Sequence, residues 1–75
     1  MNKFKSLWLD QDANRAYPTL AAARQDLCEL ANDPNYDWYF VGLCLFHEVN
    51  EKTVSMVRVE KTTKGRVTFS RPQLL

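Results

Sequence analysis

Asp37 to Phe46 reads Asp-Trp-Tyr-Phe-Val-Gly-Leu-Cys-Leu-Phe, and nine of its ten positions are uncharged. It has aromatics at one end, a glycine inside and no helix cap immediately in front. Such a run reads as a buried central β-strand extending to Val49, with the rest of the fold built against it. Alternation then puts Trp38, Phe40, Gly42, Cys44 and Phe46 on one face. Tyr39, Val41, Leu43, Leu45 and His47 take the other. Both faces are apolar, which demands cover on both sides, or a helix on one side and a partner on the other.

The flanking segments supply that cover. Phe4 to Leu9 alternates as a first strand, and Asp10 to Asn14 is rich in side chains that bond nearby backbone in turns. Pro18-Thr19 opens a helix, with Thr19 as its cap. Leu20, Ala23, Leu27, Leu30 and Ala31 recur at spacings of three and four and form one apolar stripe. Asn32-Asp33-Pro34-Asn35 ends the helix, because the residue before proline avoids the helical region. Asn50-Glu51-Lys52 is a polar break of hairpin length. Val54 to Glu60 is a third strand, and Lys61 to Gly65 a second break. Arg66 to Ser70 is a fourth strand, stopped by Pro72. The expected fold is α+β. A single amphipathic helix, Thr19 to Asn32, packs on an antiparallel sheet of about four strands in the order β-α-β-β-β. One sheet face is left with nothing in the chain to cover it.

Seventy-five residues make one domain, 1–75. A chain of this size buries only about 60 % of the surface its unfolded form exposes. Charge is unevenly placed. Residues 1–50 hold four Lys/Arg against seven Asp/Glu, a net of −3; residues 51–75 hold six against two, a net of +4. Two ends of opposite sign can steer a partner or a second copy of the chain. The start carries no long apolar segment of the secretory kind, and no apolar run reaches the roughly 18 residues of a membrane span. Cys28 and Cys44 sit in apolar runs as free thiols, which fits a reducing cytoplasm and no membrane.

No motif for catalysis, metal or cofactor holds up. Asp10, Asp12 and Asn14 open like a calcium loop, but its sixth position is Arg15 rather than Gly and its twelfth is Ala21 rather than Glu. Cys44 and His47 have C-x-x-H spacing without a second pair, and zinc needs about four ligands. On a strand these two residues point to opposite faces, which also rules against a Cys–His nucleophile pair. No carboxylate is placed by the sequence to orient His47. The segment Lys61-Thr-Thr-Lys-Gly-Arg66 is a basic hairpin tip that could meet phosphates. It resembles the Lys-Gly element of the RNA-recognition motif, except that Arg66 and Val67 stand where stacking aromatics belong.

Tyr36, Trp38, Tyr39 and Phe40 cluster at the start of the apolar run, and a domain this small cannot easily bury them all. Tyr and Trp favour interfaces, where the body is covered and the polar tip stays wet. The sequence therefore points to a small non-enzymatic protein-binding module without a cofactor, an inhibitor or adaptor that occupies a partner's surface. Tyr36, Trp38 and Tyr39 are its partner-binding residues, and a second copy of the chain is one such partner. The alternative is nucleic-acid binding through Lys61, Lys64 and Arg66. The short single-domain layout resembles that of many small proteins of bacteriophages and mobile elements; the resemblance covers size and layout and carries over no residue.

Overall fold

The computed structural model describes residues 5–75. Six strands, one α-helix and one 3₁₀ helix follow in the order β1 (Ser6–Asp10), β2 (Ala16–Tyr17), α1 (Leu20–Ala31), the 3₁₀ helix (Pro34–Phe40), β3 (Cys44–Val49), β4 (Lys52–Lys61), β5 (Val67–Phe69) and β6 (Gln73–Leu74). The fold is small α+β, with both helices on a curled antiparallel sheet that forms a half-barrel. The strand order is β2-β1-β3-β4-β5, and β6 also pairs with β4.

The sheet has five to six strands rather than about four. The extra strands are short. Ala16–Tyr17 turns back on β1 with Trp8 opposite Tyr17. The tail lies along β4 with Leu74 opposite Ser55. β5 and β6 run along the same β4 edge, joined at Ser70, whose N–H donates to the Arg58 carbonyl at 2.9 Å. Backbone pairing holds this tail while Leu74 and Leu75 keep their side chains in water. Phe4, expected to start the first strand, lies outside the described residues.

The largest correction concerns the apolar run. Its first half is not strand. Pro34 to Phe40 winds as a 3₁₀ helix, and β3 begins only at Cys44. A cap does precede the run: the Asp33 side chain accepts the Asn35 N–H at 3.0 Å. Pro34 follows in the first helical position, where its missing N–H costs nothing. Val41 then returns to extended backbone, and Gly42 turns the chain at a φ of +68°. With about three residues per turn, side chains three apart share a face. Tyr36 and Tyr39 therefore align, as do Asp37 with Phe40 and Trp38 with Val41. Of the expected face of Trp38, Phe40, Gly42, Cys44 and Phe46, only Cys44 and Phe46 share a strand face; Trp38 and Phe40 lie on the 3₁₀ helix and Gly42 in the turn after it.

The helix forms where its stripe requires. Thr19 caps it by accepting the Ala22 N–H at 3.0 Å, and Asn32 closes it. Ala23, Leu27 and Ala31 share one buried core with Leu45, Val57, Val59 and Val67 of the sheet and with Leu43 just before β3. Phe40 seals this core from the 3₁₀ helix, and Trp8 and Tyr17 seal it from the β1–β2 edge. Register places Leu9, Phe46 and Met56 in one row on the opposite sheet face, each half-buried, with Leu7 beside them. One sheet face thus lacks cover from the described residues, and Phe46 is its aromatic. The β3–β4 hairpin closes through Asn50 and Glu51, both at positive φ, as a two-residue primed turn requires.

Candidate functional site

Asp10 organises the site. It ends β1 with its side chain buried. One carboxylate oxygen accepts the N–H groups of Asp12 at 3.2 Å and Asn14 at 2.8 Å. The apparent calcium-loop spacing is therefore a turn wrapped on its own first residue, with Ala13 at a φ of 55°. The other oxygen accepts the Tyr39 hydroxyl at 2.5 Å. That bond ties the 3₁₀ helix to the β1 turn. Burial first, and then the bond to Asp10, raise the Tyr39 pKa above the usual tyrosine value.

A second tie lies alongside. The Asp26 carboxylate accepts from the Tyr17 hydroxyl at 2.5 Å and from the Arg15 guanidinium at 3.0 Å. Burial, then the Asp26 bond, raise the Tyr17 pKa. Partial burial works against the charge on Arg15, yet Asp26 and the neighbouring tyrosines leave its pKa raised. The guanidinium carbon stands 5.8 Å from the centre of the Tyr39 ring. A third tie is Gln11, which donates to the Gly42 carbonyl at 3.1 Å and accepts the Cys44 N–H at 3.0 Å.

These bonds hold open a cleft of about 450 Å³ lined by Asn14, Arg15, Tyr36, Trp38 and Tyr39. The three aromatics singled out in the sequence thus line one cleft. Trp38 meets Tyr39 edge to face, with ring centres 5.7 Å apart and planes at 81°. Tyr39 meets Phe40 in the same way at 6.0 Å. Trp38 remains 68 % exposed and its face-mate Val41 78 % exposed. Asn14 and Arg15 are members that the sequence reading missed. Their signal was the Asx-rich turn, once that turn is seen to fold toward the 3₁₀ helix.

The basic residues divide. Lys61 pairs with Asp37 of the 3₁₀ helix. Lys64 and Arg66 instead face a separate cleft with Arg24 of α1. Lys61 and Lys64 also line a smaller adjoining cleft with Asp37, so Lys64 lies between the other two.

Cys44 and His47 do lie on opposite sheet faces, as their spacing implies. His47 stacks on Trp8, with ring centres 4.2 Å apart and planes 6° from parallel. Its Nε2 is 2.6 Å from the Ser6 hydroxyl oxygen, a pairing across β1 and β3 invisible in the sequence. Among the described residues, no carboxylate hydrogen-bonds this imidazole. No three His, Cys, Asp or Glu side chains gather to hold a metal ion among the described residues. Both cysteines are free, Cys28 exposed on α1 and Cys44 half-buried on β3. No described helix is long and apolar enough to cross a membrane. Comparison with family models, with curated proteins and with solved structures finds no match.

Proposed function

We propose that the chain is a small non-enzymatic protein-binding module, an inhibitor or adaptor that acts by occupying a partner's surface with the Tyr36–Trp38–Tyr39 cleft. The observation that carries this reading is the exposure of Trp38 on a segment otherwise tied down on every side. A large indole left in water forgoes the stabilisation that burial gives, roughly 1.5–3 kcal/mol for a large apolar side chain. Burial in a partner recovers it. The bonds from Asp33, Asp10 and Lys61 pre-order the segment, so little conformational entropy is lost on binding. Aromatic anchors beside a guanidinium are the side chains that dominate binding energy at interfaces. Arg15 and Asn14 add polar contacts that fix orientation. The mechanism is steric, with no bond made or broken.

Quantitative capture from cell extract tests the reading, using the wild-type chain, Trp38→Ala and the remote control Val54→Ala. The expected result is one stoichiometric partner retained by wild type and control and lost with Trp38→Ala, at equal thermal stability. Equal retention by all three variants sinks the idea.

A further inference from the structure

A second cleft, of about 740 Å³, separates α1 from the β4–β5 hairpin and shares no residue with the aromatic one. Arg24 and Cys28 stand one turn apart on its helical wall. Thr63, Lys64 and Arg66 form its hairpin wall. Three cationic residues thus line one space, and no carboxylate is among the residues that do so. The hairpin turn is rigid: Thr62 N–H donates to the Arg66 carbonyl at 2.8 Å, Gly65 N–H to the Thr62 carbonyl at 2.9 Å, and Arg66 N–H to the Thr62 hydroxyl at 3.1 Å. Among the described residues, the Thr63 and Lys64 N–H groups have no such partner. Gly65 sits at a φ of +81°, and a Cβ there would stand 3.5 Å from the Ala31 carbonyl oxygen, so the turn rests close against the end of α1. Arg24 is held in place over the Phe69 ring, 4.5 Å from its centre.

Like charges that line one space repel, and an anion between them removes that cost; the carboxylate of the adjoining cleft, Asp37, is paired with Lys61. Two guanidinium groups, an ammonium and spare backbone donors are the chemistry that takes a phosphate group. No exposed aromatic lines the cleft to stack a base, so any recognition is of phosphate rather than of sequence. We infer that the α1–hairpin cleft is a phosphate-binding site, with Arg24, Lys64 and Arg66 as its charged ligands. The phosphate belongs either to a small ester or to a polynucleotide backbone.

Cys28 supplies the reporter, since its exposed thiol lines the cleft while half-buried Cys44 lies on the far face of the sheet. The full chain is titrated with inorganic phosphate and, separately, with oligothymidylate at low salt. Amide shifts are followed by NMR and alkylation of both thiols by iodoacetamide. The site predicts saturable shifts at Thr63 to Arg66 and slowed alkylation of Cys28 with Cys44 unchanged. Lys64→Glu with Arg66→Glu should weaken binding about tenfold or more without lowering the melting temperature, and oligonucleotide binding should fall steeply with salt. Should that pair of changes disturb the fold, Lys64→Gln in the exposed turn carries the comparison. Saturation by phosphate alone identifies a small ester, and saturation by the oligonucleotide a backbone; both uphold the site. Non-saturating shifts with both probes, or binding that survives the charge changes, overturn it.

Discussion

The Tyr39 hydroxyl and the Asp10 carboxylate meet at 2.5 Å across 29 residues of chain, joining the 3₁₀ helix to the end of β1. Asp10 is 3 % exposed and also receives two backbone N–H groups. Removing the hydroxyl leaves a buried carboxylate oxygen short of a donor, which costs about 1–3 kcal/mol. Tyr39→Phe should therefore destabilise the fold by that amount in urea unfolding. Asp10→Ala, which also frees the Asp12 and Asn14 amides, should cost more.

Alkaline pH should loosen the same region. Tyr39 and Tyr17 both have pKa values raised by burial and by hydrogen bonds to carboxylates. The folded chain thus holds protons that the unfolded chain releases near pH 10. The stability these two groups contribute is complete below about pH 10 and is lost as the pH climbs from there toward their folded-state values. Urea midpoints measured at pH 8 and pH 11 should show a fall in the wild type. The doubly substituted Tyr17→Phe, Tyr39→Phe chain should show a smaller one.

Trp38 separates binding from folding. Its side chain is largely in water, and surface substitutions of this kind change stability by no more than about 0.5 kcal/mol. Loss of an aromatic anchor from an interface costs about 2 kcal/mol or more. Trp38→Ala should melt like the wild type yet bind the partner at least about thirtyfold more weakly. A large drop in melting temperature would place Trp38 in the core instead.

The β3–β4 turn carries avoidable strain. Glu51 sits at a φ of 71° next to Asn50 at 50°, and Asn-Gly is the preferred pair for such a turn. Glu51→Gly relieves a left-handed residue that costs roughly 1–2 kcal/mol, against a smaller loss to glycine's freedom in the unfolded chain. A net gain of about 0.5–1 kcal/mol is expected in the unfolding free energy. No change would mean that the Glu51 side chain compensates its own strain.

Elements governed by local chemistry could be read directly from the residues. The stripe Leu20, Ala23, Leu27, Leu30 and Ala31 between Thr19 and Asn32 specifies α1 and its buried side, because helical spacing and capping act within a few residues. The β3–β4 and β4–β5 hairpins follow from their polar breaks in the same way. That some of the aromatic cluster stays outside the core could be expected on size alone, since nine aromatics are many for a chain of 75 residues to hide; of Tyr36, Trp38, Tyr39 and Phe40 the exposed one is Trp38.

What only the tertiary structure decided is where that cluster points and what joins it. An unbroken apolar run satisfies a buried strand and a short helix equally, so Asp37 to Val41 could not be assigned by pattern. The choice rests on the Asp33 cap and on two long-range partners, Asp10 for Tyr39 and Lys61 for Asp37. The same holds for Arg24 beside Lys64 and Arg66, and for Ser6 beside His47, pairs about 40 residues apart in sequence. Such encounters depend on strand order and sheet curvature, which arise from how all the layers pack at once and leave no mark in any single stretch of sequence.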